Sequence, residues 1–92
     1  MAYTPPSPED LQALKRRLGL TGEQMAELLG VAGGQQWRKY TGGHSPRAMS
    51  MHALFFMAAR LALDDAQLAR VQQAMQDIGA SVGAIHSALS SD

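Results

Sequence analysis

The sequence predicts an all-α fold: a five-helix bundle followed by a short C-terminal helical extension. Helix-start signals recur along the chain, apolar residues repeat at helical spacing, and no segment shows the strict alternation of a half-buried strand. With 92 residues, 46% hydrophobic and 17% charged, the chain can form one core but not two separate ones, and its composition is not that of a disordered polymer.

Each element has a local cause. Ser7-Pro8-Glu9-Asp10 supplies an N-cap hydroxyl, a proline at the first helical position and two acids in the first turn. Leu11, Leu14 and Leu18 then share one face until Gly19 offers a left-handed stop. Thr21-Gly22-Glu23-Gln24 is a capping box for a second helix, whose buried stripe is Met25, Ala26, Leu28 and Leu29 and whose stop is Gly30. After a turn at Val31-Ala32, residues 33–41 make a third helix ended by Gly42-Gly43. Ser45-Pro46 repeats the cap-then-proline start and launches an apolar fourth helix over residues 49–63. Asp64-Asp65-Ala66-Gln67 opens a fifth helix carrying Leu68, Val71, Met75 and Ile78 as far as Gly79. Val82, Ile85 and Leu89 keep helical spacing in a sixth segment with few other helix signals. The expected organisation is a loose arm over residues 1–8, a domain over 9–79 and an extension over 80–92.

Composition and motifs exclude several function classes. The chain has no cysteine, which removes disulfides, Cys-ligated metal and thiol chemistry and suits a reducing cytoplasm, the expected location. The N-terminus has no signal-peptide pattern, and residues 49–63 are shorter than the ~20 residues a bilayer span requires, so no membrane association is expected. His44, His52 and His86 lack the spacing and acidic company of a metal site, and the methionines Met49, Met51, Met57 and Met75 read as packing material. No nucleophile, base and acid grouping and no phosphate-binding Gly-Lys-Ser motif is present, so neither catalysis nor a cofactor is expected.

The net charge is zero but unevenly placed. Between residues 11 and 60 stand Lys15, Arg16, Arg17, Arg38, Lys39, Arg47 and Arg60 against only Glu23 and Glu27, while the acids Glu9, Asp10, Asp64, Asp65, Asp77 and Asp92 lie on the flanks. This asymmetry fits an N-terminal part that meets an anion; solvated faces on a neutral domain would give the same pattern.

Two short helices joined by a tight turn form a helix-turn-helix arrangement. With Thr21 as the cap of helix two, Ala26 at the close helix approach, Gly30-Val31 at the turn, an aromatic third helix and the connection 43–46 into an apolar fourth helix, residues 18–63 resemble the lambda-repressor-like (Cro/XRE) DNA-binding family. The third helix, with Trp37 and Tyr40 before Gly42, is most similar to phage-type repressors. The resemblance implies a transcriptional regulator. The family often has Gln where Gly22 stands, so a usual side-chain contact is missing.

The commonest spacing of the motif would turn Gln36 and Lys39 inward. Burying a lysine and an amide would cost several kcal/mol, on the order of the desolvation penalty of unpaired polar groups, so we expect a register shifted by one, with Trp37 and Tyr40 inside and the extra residue absorbed at Gly33-Gly34. The outer face then presents Gln35, Arg38 and Lys39, with Gln36 to one side. Gln35, Arg38 and Gln36 are the candidates for base edges, since Gln pairs with adenine and Arg with guanine. Lys39, Arg47 and the amides at Gly22, Glu23 and Gly34 are the candidates for phosphate.

One such domain touches too few bases to select a site, so a homodimer on a pseudo-palindromic double-stranded operator is expected. The surplus apolar residues Phe55, Phe56, Met75, Ile78, Val82 and Ile85 are its candidate interface. The expected function is a homodimeric repressor of phage or mobile-element origin. The alternative on the same fold is a protein-interaction module, such as an antitoxin or an inhibitor of a larger protein.

Overall fold

The computed structural model describes residues 1–31 and 33–89. Among these residues five helices follow in order: α1 Pro8–Leu18, α2 Gly22–Leu29, α3 Gly34–Thr41, α4 Met51–Ala62 and α5 Asp65–Ile78. Among the described residues every regular element is a helix, and none is long and apolar enough to cross a membrane. The chain divides into two units, Met1–Phe56 and Met57–Asp92, with the division falling inside α4. The turn residue Ala32 and residues 90–92 of the expected extension lie outside the described residues.

In the first unit, helices begin where side chains can satisfy the free amides of a first turn. The Asp10 N–H donates to Ser7 Oγ at 3.0 Å and the Ser7 N–H donates to the Asp10 carboxylate at 2.9 Å. Thr21 and Gln24 repeat this reciprocal box on α2, at 3.1 and 2.9 Å. Gly19 and Gly30 end α1 and α2 in the left-handed conformation. At Gly30 a side chain is excluded twice, by a φ of 86° and by the Phe56 ring, which a Cβ would approach to 2.9 Å. The apolar stripe of α2 buries Met25, Ala26, Leu28 and Leu29, and Leu11, Trp37 and Met49 are buried as well. Helix α3 packs on both α2 and α1.

The fourth helix starts later than Ser45-Pro46 suggests. Residues 42–50 are not helical, and the cap is Ser50, whose Oγ accepts from the Ala53 N–H at 3.1 Å. The cause is tertiary. The Arg47 N–H donates to the Lys39 carbonyl at 2.7 Å, and the Met49 carbonyl accepts from the Tyr3 hydroxyl at 2.6 Å. These bonds hold the segment in a connection instead of a first turn.

In the second unit α5 opens with an Asp64–Gln67 capping box and stops at Gly79. The expected sixth helix does not form: residues 80–87 are without regular structure, and 88–89 form a turn. Two glycines, Gly79 and Gly83, weaken a helix here, and the backbone finds partners elsewhere. Gln72 Nε2 donates to the Val82 carbonyl at 3.3 Å, Arg60 Nε to the His86 carbonyl at 2.8 Å, and the Ser87 N–H to the Asp65 carboxylate at 2.7 Å. The Ala88 N–H donates to the Arg60 carbonyl at 2.7 Å, and Ser87 Oγ donates to the Leu63 carbonyl. The tail thus satisfies carbonyls at the end of α4 that a helix terminus leaves free.

Two outcomes follow. Ser87 is 6% exposed, and Ser87→Ala leaves the Leu63 carbonyl and the Leu89 N–H without its hydroxyl. A loss of about 1–3 kcal/mol is expected, read by denaturant titration. At Asp10, bonding from the Ser7 N–H, and secondarily the Ser7 hydroxyl, holds the carboxyl below its ordinary pKa. A depressed carboxyl stabilises the fold above its unfolded pKa, and that contribution is lost as pH falls through the lower folded value. Thermal melts across this acidic window should show a smaller loss of stability for Asp10→Asn than for the parent chain.

Candidate nucleic-acid interface

Helix α3 has one side turned in and one side open. Trp37 is 1% exposed and Tyr40 half-buried, while Gln35, Arg38 and Lys39 are exposed and Gln36 is half-buried. Desolvation makes this orientation cheaper than its neighbour. Burying an indole removes roughly 150–250 Å² from water, worth about 4–6 kcal/mol at ~25 cal/mol per Å². The indole N–H has no acceptor among the described residues, a cost of about 1–3 kcal/mol that the ring's burial outweighs. Turning Lys39 inward would offer no such return.

The start of α3 lies against the start of α2. Gly33, with a φ of 79°, precedes α3 without a side-chain cap, so the first amides of the helix are not occupied by a capping side chain. Gly34 is buried, and a Cβ there would stand 3.1 Å from Glu23 Cγ, 3.3 Å from Glu23 N and 3.4 Å from Arg38 Nη1. The missing side chain therefore lets Glu23, Gly34 and the Arg38 guanidinium come together. Gly22 lies over the indole, where a Cβ would meet Trp37 Cδ1 at an ordinary 3.7 Å. The dipoles of two helix starts favour an anion here, and the Glu23 carboxylate opposes one.

The other end of α3 brings Arg47 in. Its backbone bond to the Lys39 carbonyl joins two cations eight positions apart in sequence, a juxtaposition that periodicity alone did not indicate. The side chains of Gln35, Arg38, Lys39 and Arg47 form no hydrogen bond or ion pair among the described residues. On α1, Arg16 lines a shallow cleft of about 310 Å³ with Pro8, Glu9, Gln12 and Thr41. Arg16 and Arg17 are exposed and Lys15 half-buried.

The apolar residues singled out for self-association differ in environment. Phe55 is 72% and Ile78 87% exposed, and Met75 is also exposed. Phe56, Val82 and Ile85 are half-buried, with the Phe56 ring against Gly30. Among the described residues no group of three or more His, Asp or Glu side chains is placed to hold a metal ion.

Compared with protein-family models, curated proteins and solved structures, the chain matches none.

The geometry of α3 makes Gly34 the most sensitive position. Alanine would ordinarily favour a helix over glycine by ~1 kcal/mol, but any Cβ here presses on Glu23. Gly34→Val is expected to destabilise by about 1–3 kcal/mol, as overpacked sites do. Chemical denaturation followed by the fluorescence of the single tryptophan, Trp37, would measure it.

Proposed function

We propose that this chain is a sequence-specific double-stranded DNA-binding transcriptional regulator, acting as a homodimeric repressor, with α2 and α3 as its helix-turn-helix. The carrying observation is the division of α3: Trp37 is buried while Gln35, Arg38 and Lys39 stand exposed, their side chains without a hydrogen-bond or ion-pair partner among the described residues. Long polar side chains left unpaired on a short, firmly seated helix suit the major groove, which admits one α-helix and offers paired acceptors and donors.

The roles divide by chemistry. Gln35 and Arg38 address base edges, Gln with adenine N6 and N7 and Arg with guanine O6 and N7. Gln36, half-buried at the side, is the third candidate for base contact. Lys39 and Arg47, held together by the backbone bond between them, neutralise the phosphates beside the groove. The amides of Gly22, Glu23 and Gly34 add the positive ends of two helix dipoles. The charge pattern agrees, with cations gathered in residues 11–60 and acids on the flanks. A two-fold pair places two α3 helices roughly 34 Å apart, one turn of B-DNA, over a palindromic site. Repression needs only occupancy of a promoter.

Binding-site selection from random DNA, followed by titration at several salt concentrations, tests this reading. Arg38→Ala is expected to relax discrimination at one base pair by ~1–3 kcal/mol, and Lys39→Ala to weaken all sequences together and reduce the salt slope by about 1 per subunit. Absence of any salt-dependent DNA binding, with stable capture of a neighbouring gene's product instead, would replace it with the protein-interaction reading.

A further inference from the structure

Helix α5 carries an apolar stripe that the second unit does not cover. Val71 is 43% exposed, Met75 36% and Ile78 87%. At ~100° per residue these three and Ala74 fall on one face. One edge of that face is closed by the buried Leu68 and by Gln72, whose amide holds the tail at Val82. The other edge is charged: Arg70, Gln73 and Asp77 lie along it, all exposed. Asp77 accepts from Gln73 Nε2 at 2.9 Å, and Arg70 has no side-chain partner among the described residues.

This face is complementary to itself in one orientation. When two copies of a helix pack antiparallel about a two-fold axis, like edges meet, so the charged edge of one faces the charged edge of the other. Positions equidistant from the centre then stand opposite each other. A centre between Ala74 and Met75 sets Val71 against the partner copy's Ile78 and brings Arg70 level with its Asp77 to within about two residues, ~3 Å along the axis. That offset is within the reach of a guanidinium. In a parallel pair the charged edge would face the edge closed by the tail, and both cations would stay unpaired.

We infer that the occupant of this surface is a second copy of the chain, bound through antiparallel α5–α5 pairing with Val71, Met75 and Ile78 at the centre and two Arg70–Asp77 pairs at the rim. The inference rests on the homodimer element of the proposed function, and it leaves Phe55, Phe56, Val82 and Ile85 outside the contact.

The absence of cysteine from the chain allows a direct test without DNA. Ala74→Cys, near the two-fold axis, is expected to form an intermolecular disulfide under mild oxidation, and Ala58→Cys on α4 is not. In sedimentation equilibrium, Ile78→Glu should give a monomer with unchanged circular dichroism. Arg70→Asp and Asp77→Arg should each weaken association several-fold, and the double exchange should restore it. A monomeric parent chain, cross-linking through position 58 but not 74, or a double exchange no better than the singles would overturn the inference. A dimer that passes these tests but binds no DNA would leave the inference standing and remove the DNA-binding reading instead.

Discussion

The burial of the Trp37 indole is the constraint on which the exposed face of α3 depends. A helix of eight residues has too little intrinsic stability to hold an orientation alone, because helix nucleation is costly and few backbone bonds offset it. Its rotation is set by the side chain that gains most from leaving water. Once the indole is inside, helical geometry carries Gln35, Arg38 and Lys39 outward. The exposed face of α3 is thus a consequence of core packing, and an indole N–H without an acceptor among the described residues is an acceptable cost of it.

Two absent side chains complete that arrangement. Gly34 allows α3 to begin against the backbone of Glu23, and Gly30 accepts both a left-handed turn and the Phe56 ring. Close approach of this kind brings helix starts together, and helix starts are where unbonded amides and positive dipole ends collect. The same packing that seats α3 therefore shapes the electrostatics beside it.

Long-range hydrogen bonds set the irregular segments. The connection 42–50 is tied to α3 through the Arg47 N–H and to the N-terminal arm through the Tyr3 hydroxyl, which moves the start of α4 from Pro46 to Met51. The tail 80–89 is tied to the end of α4 through Arg60, and to the start and the middle of α5 through Asp65 and Gln72, and these bonds replace the helix that Val82, Ile85 and Leu89 suggest by their spacing. In both segments local signals were present and lost to partners outside the local turn, from Lys39 for Arg47 to Tyr3 for Met49.

What the sequence determined by itself is the set of elements with short-range causes. Ser7 with Asp10, Thr21 with Gln24 and Asp64 with Gln67 cap α1, α2 and α5 where their residue types and spacing place them. The inward turn of Trp37 was legible for the same reason, since it follows from the relative desolvation costs of an indole and a lysine on one short helix. Tertiary structure alone decided the start of α4, the unwound tail, the meeting of Lys39 with Arg47 and the approach of Gly34 to Glu23. Each depends on a bond or a contact between segments distant in the chain, and residue spacing carries no record of which backbone group a remote donor will reach.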